Sequence, residues 1–218
     1  MYRCMNLKTG DILLFSERPS NCCMGCLDCV IKKCTCSMYS HAALVVVDPP
    51  WCTELHGVFV WESSWHGQPD PQDGIVKFGV QLTPLEFYTH QYPGRVRMWV
   101  RRATAFSKDA ATLRAVHDSV YKKMYDTSPW DWIAAALRVK IRNRTDAFTC
   151  SAFVSYALTQ FGCLEKDTCW TVVSAADLSS HRRSSLVHFT TAYTEDEYLG
   201  DFPQGDSELI SNDMLVHK

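Results

Sequence analysis

The chain has 218 residues, 46% of them hydrophobic and 12% aromatic, with a formal net charge of −2. That length suits one sizeable core, or one domain carrying an inserted excursion, and the composition and near-neutral charge exclude a disordered chain and a general nucleic-acid binder. No stretch approaches the roughly 18 apolar residues of a membrane span, and the N-terminal apolar run is too short for a secretory signal, so a soluble, cytoplasmic protein is expected. Its eleven cysteines, an odd number, are then expected to be reduced.

In chain order, "GDILLFS" (10 to 16) reads as a short strand entered through a Gly-Asp turn. A cysteine-rich excursion over 17 to 37 follows, with six cysteines between residues 22 and 36. Cys26 and Cys29 form a CxxC pair and Cys34 and Cys36 a CxC pair, a set that suits a compact structural zinc site. Three other readings stand beside it: S-acylation next to Leu27, Val30, Ile31, Lys32 and Lys33, which would give peripheral membrane contact; disulfides in an extracellular or virion setting; and a solvent loop without dedicated chemistry. "SHAALVVVD" (40 to 48) is a nearly continuous apolar run, as in a strand buried on both faces. "GVFVWESS" (57 to 64), "GIVKFGVQL" (74 to 82) and "RVRMWVRR" (95 to 102) read as further strands of one sheet.

Helices are expected from there on. "SKDAATLRAVHDSVYKKMY" (107 to 125) repeats apolar residues at helical spacing, with Asp109 near its start and Lys122 and Lys123 near its end. "SPWDWIAAALRVK" (128 to 140) opens with a cap, a first-turn proline and an acid. In "DAFTCSAFVSYALTQFG" (146 to 162), Phe153, Ala157 and Phe161 recur at spacing four, Gly162 suits a left-handed C-terminal cap, and Thr149 or Asp146 can cap the start. The stretch from 194 to 212 carries acids without a Lys or Arg and reads as a solvated face or mobile segment. The expected architecture is α+β: an antiparallel sheet from the first half packed on helices from the second, with 1–193 as one domain and 194–218 as an acidic tail.

Cys150 falls in the first turn of its helix, where unpaired N–H groups and the helix dipole favour a thiolate and could hold an oxyanion. A buried structural thiol is the plain alternative. A nucleophile needs a base, and the base needs an orienting group. His41 opens the valine-rich strand and Glu62 ends the next one, so pairing of those strands would let them meet. His56, His66, His90 and His117 compete as bases, although His90 and His117 sit in segments that read as helix surface.

These features together resemble the circularly permuted papain-like fold, related to NlpC-type cell-wall peptidases and to the lecithin retinol acyltransferase group, and most closely a permuted subset with bacterial and large-DNA-virus members. The correspondence runs through Gly10 and Asp11, "SHAALVV", "VWESS", "GVQLTPLEFY", Tyr125 and Asp126, and "TCSAFVSYAL", and covers most of residues 7 to 165. The sequence departs from the family pattern at Ala42 and Ala43 and in the inserted cysteine-rich loop. The resemblance implies a cysteine amidase or peptidase with Cys150 as nucleophile, His41 as base and Glu62 as orienting acid, acting through a thioester without a catalytic metal or other cofactor. The substrate would be a peptide, an amide or an acyl-lipid. Two other functions stay open: a non-catalytic structural or virion component on the same fold, and a lipid acyltransferase, for which "PWDWIAAAL" and the cysteine loop would supply membrane contact.

Overall fold

The computed structural model describes residues 6–19, 37–92 and 94–202. The candidate zinc ligands Cys26, Cys29, Cys34 and Cys36, and with them the acylation and disulfide readings of that loop, lie outside the described residues, as do 203–218.

Eight strands make one sheet: β1 (Ile12–Pro19), β2 (His41–Val47), β3 (Val58–Ser64), β4 (Gly79–Pro84), β5 (Gly94–Arg101), β6 (Met124–Tyr125), β7 (Ala147–Phe148) and β8 (Glu197–Phe202), in the spatial order β7-β6-β4-β3-β2-β1-β5-β8. Every neighbouring pair is antiparallel except β6 and β7, a two-residue parallel pair, so the sheet is mixed and the fold is α+β. Parallel neighbours need a crossover, and here the crossover carries helix α2 (Pro129–Leu137). Helix α1 (Ala110–Val120) precedes β6, and α3 (Cys150–Gln160) follows β7.

The continuous apolar runs are buried on both faces for the reason their composition implies. Alternate residues of β1 and β2, Ile12, Leu14, Ala42 and Leu44, face a core shared with α1 and α3, while Leu13, Phe15, Ala43 and Val45 face a second core. That second core is covered by Phe87, Tyr88 and Tyr92 from the segment after β4, which forms one π-helical turn (Phe87–Gln91). Gly10 enters β1 at φ 94°, and a Cβ there would stand 2.3 Å from the Phe106 ring, so only glycine fits the turn. Asp11 locks the same turn by accepting from the Lys8 N–H at 2.9 Å and the Ala103 N–H at 3.0 Å.

Three expectations change. Residues 74–78 stay out of β4: Ile75 and Val76 are exposed, and the strand begins at Gly79, where a Cβ would lie 2.2 Å from the Lys123 carbonyl that accepts from the Val80 N–H. The helix expected over 107 to 125 is confined to α1, and Met124 and Tyr125 turn into the short strand β6. Glu197–Phe202, read as part of a solvated tail, is an edge strand on β5, because Phe202 buries its ring in the second core and the backbone finds a free strand edge.

Helix α3 lies across β2 and β3. Its Thr149 cap accepts from the Ala152 N–H at 3.4 Å, and Gly162 takes φ 66° just past its end, with the Cys163 N–H returning to the Leu158 carbonyl at 2.8 Å. Cys150 is thereby fixed as the first helical residue, pressed against the sheet.

Candidate active site

The site forms where two strands part. β2 pairs with β3 only from Leu44↔Trp61 to Val47↔Val58, while β2 continues back to His41 on β1 and β3 continues on to Ser64 on β4. Among the described residues, His41–Ala43 and Glu62–Ser64 therefore face each other across an opened ladder. The Ser63 hydroxyl donates to the Phe148 carbonyl at 2.7 Å, fastening the opened end of β3 to the residue two before Cys150. The first turn of α3 is thus held at the gap.

His41, Glu62 and Cys150 come together there, and all three are buried. His41 Nε2 meets Glu62 Oε2 at 2.5 Å. With Nε2 committed, Nδ1 is the nitrogen left for the Cys150 thiol, which is close enough to the ring for each to shift the other's pKa. Burial alone would favour the neutral imidazole, but the Cys150 sulfur and the Glu62 carboxylate outweigh it and hold the His41 pKa well above its ordinary 6.5. Burial likewise pushes the Cys150 thiol up, and is overcome by the His41 imidazolium and by main-chain hydrogen bonds at Ala42 and Ser151, leaving the thiol below its ordinary 9.0. The Ala42 N–H is free for this because β2 has no β3 partner at that level. A buried sulfur with an imidazolium on one side and backbone N–H groups on another is arranged to ionise.

Glu62 sits at the centre of a wider network. Burial raises its pKa, but His41 first, then His66 and the Thr83 hydroxyl, bring it below the usual carboxylate value. Tyr88 Oη donates to Oε2 at 2.7 Å. His66 Nε2 lies 3.1 Å from Oε1, outside hydrogen-bond geometry, so that oxygen has an electrostatic neighbour but no well-formed bond. The His66 ring is fixed by the Ser64 hydroxyl and Tyr88 Oη, each 2.9 Å from Nε2, and by the Gln81 amide, whose nitrogen is 3.2 Å from Nδ1. The amide donates, so Nδ1 accepts and Nε2 carries the proton, directed to its hydroxyl partners.

Of the competing histidines, only His66 reaches this network. His117, expected on a helix surface, is buried, stacked 4.4 Å from the Trp51 ring and 2.9 Å from Gln72 Oε1, and its burial favours the neutral form. His56 and His90 are exposed. Sequence reasoning missed Tyr88 and Gln81 and left His66 among several candidates. Their signal lay in the strand register: Ser64 pairs with Gly79 and Glu62 with Gln81, which brings the end of β3 under the segment that carries Tyr88.

A small cavity of about 120 Å³ is lined by Ser16, Arg95, Arg97 and Asp201. Its lining comes from β1, β5 and β8, on the far side of β1 from the His41 strand, and includes none of His41, Glu62 and Cys150. Among the described residues no group of three or more His, Cys, Asp or Glu is placed to hold a metal ion, and no helix is long and apolar enough to cross a membrane. Compared with known proteins, the sequence matches no family model and no curated protein.

Proposed function

We propose that this chain is a cysteine hydrolase of the permuted papain-like, NlpC-type class, cleaving an amide or ester through a thioester on Cys150. The observation that carries the reading is a buried thiol electrostatically coupled to a buried imidazole whose Nε2 is held by a fully buried carboxylate. A structural cysteine needs no such partner, and a buried imidazole and carboxylate are costly to keep unless their charges are used or paired.

In this mechanism the Cys150 thiolate attacks the substrate carbonyl, and the oxyanion forms near the backbone N–H groups of the α3 start and of Ala42. His41 Nδ1 then protonates the leaving amine or alcohol, which departs as the tetrahedral carbon collapses to the thioester. A water molecule gives its proton to the now neutral His41 and attacks the thioester, and Cys150 leaves as thiolate with His41 again protonated. Glu62 stays ionised throughout, keeping the ring in the rotation that presents Nδ1 and stabilising the imidazolium.

The test is hydrolysis of a panel of amino-acid p-nitrophenyl esters and anilides by the parent protein and by Cys150→Ala. Thiol-dependent turnover with trapping of an acyl group on Cys150 by mass spectrometry is expected. Acyl transfer to an added lipid or amine in preference to water would identify a transferase. A folded parent without any thiol-dependent acylation would leave a scaffold as the better reading.

A further inference from the structure

Among its described side chains, helix α2 turns the large apolar ones outward, which a helix that only closes a core would not do. Its Ala134 and Ala135 pack inward against the core, while Trp130 is 77% exposed, Ile133 48% and Leu137 69%, a stripe at spacings three and four on the outer face. Just beyond the helix Val139 is 53% exposed, and the chain runs through "RVKIRNR", residues 138 to 144, with four basic residues and no acid. Two of the four are committed: Arg138 pairs with the buried Asp177 at 3.0 Å, and Arg144 with Asp131 at 3.0 Å and Asp146 at 2.6 Å. Lys140 and Arg142 are exposed and have no partner among the described residues. The link from Arg138 to Asp177 and Ser184 brings a second basic pair, Arg182 and Arg183, to the same end of the helix.

An apolar stripe with a tryptophan at its tip, flanked by uncommitted cations, has the chemistry of an interfacial helix. The rings and branched chains enter the headgroup boundary and the Lys and Arg side chains meet anionic phosphates. We infer that α2 with residues 138–144 is a docking surface for an anionic phospholipid bilayer. Charge complementarity selects that partner: the whole chain is net negative at −2, yet this surface is positive, and its cations stand beside the exposed Leu137 and Val139 instead of on a polar face as a nucleic-acid contact would require. The position adds a consequence. α2 is the crossover between β6 and β7, and β7 ends at Phe148, so a docked α2 would hold the start of α3 near the membrane surface.

The experiment is co-flotation of the full chain with phosphatidylcholine vesicles, alone or containing phosphatidylserine at about one third of the lipid, at physiological ionic strength. Partition into the anionic vesicles well above that into neutral ones is expected. Lys140→Ala with Arg142→Ala should weaken it roughly 25-fold, the product of about fivefold per cation. Trp130→Ser with Leu137→Ser should reduce binding to background, and all four sites are exposed enough for circular dichroism to remain at the parent spectrum. Cys150→Ala should float like the parent, which separates docking from the proposed chemistry. Equal flotation of the parent and both double variants, or none, overturns the inference. So does a concentration-dependent dimer that Trp130→Ser dissociates, since the stripe would then be covered by a second copy.

Discussion

Two clusters of buried charge flank β3 and β4, and they are built to opposite ends. In one, Lys77 Nζ lies 2.7 Å from Asp70 and 2.9 Å from Asp73, Asp70 also accepts from the Gln72 main chain and side chain and from the Leu82 N–H, and Tyr121 donates to Asp73 at 2.7 Å. Each charge meets an opposite charge or a firm donor. In the other, His41 stands between a thiol and a carboxylate, one Glu62 oxygen lacks a well-formed bond, and the sulfur faces N–H groups that can also hold a developing oxyanion. Burial of charge is common to both. What separates them, on the proposed reading, is a proton that can move between partners and a thiol placed beside it.

The largest effect expected from breaking the contrast is chemical. Cys150→Ala should abolish thiol-dependent turnover with thermal unfolding close to the parent, and His41→Ala should lower turnover per folded molecule roughly 10²–10⁴-fold while also lowering stability, since it leaves Glu62 buried without its imidazole. The mirror experiment is Lys77→Met. It leaves Asp70 buried without its cation and should cost about 3–5 kcal/mol in urea unfolding, while Cys150 in the folded fraction still reacts with iodoacetamide at the parent rate. If Lys77→Met instead slowed Cys150 while sparing stability, the two clusters would be one functional unit.

The next effect is in pH. Because Cys150 is depressed below 9.0 and His41 raised above 6.5, the thiolate–imidazolium pair should persist between the two folded-state values. Alkylation of Cys150 should hold its plateau below the range of a free thiol, near 8.5, and fall as pH drops through the depressed value. The stability signs oppose each other. His41 contributes fully below 6.5 and loses its contribution as pH rises through its raised value; Cys150 contributes fully above 9.0 and loses it as pH falls through its lowered value. His41→Ala should therefore shift the alkylation profile upward, a result that a purely structural histidine would not give.

The smallest effects sharpen the inner layer of the site. Glu62→Gln keeps the shape but removes the charge, and should slow turnover less than His41→Ala. His66→Gln should slow it less again while moving the acid limb of the pH–rate profile upward, since Glu62 then loses one of the neighbours that holds it ionised. An unchanged limb in His66→Gln would reduce His66 to packing.

Much of this molecule was written locally. β1, β2, β3 and β5 follow from apolar runs and alternation, and α3 from the period of Phe153, Ala157 and Phe161, the Thr149 cap and Gly162, because those signals depend on neighbours within about four residues. The placement of Cys150 in a first helical turn is of the same kind. The meeting of His41 with Glu62, 21 residues away, is not, and neither is the approach of either to Cys150. It required β2 and β3 to part beyond Leu44↔Trp61 and the turn before α3 to be tied to Ser63. The strand register likewise selected His66 and rejected His117, two histidines that sequence alone could not rank. The edge strand β8 and the outward stripe of α2 were decided the same way, since a polar stretch pairs when a free edge and a buried Phe202 reward it, and an apolar helix face turns outward when Ala134 and Ala135 fit the core better than Trp130 and Leu137. Local periodicity sets which elements form; only the competition among remote surfaces for a limited core sets which residues meet.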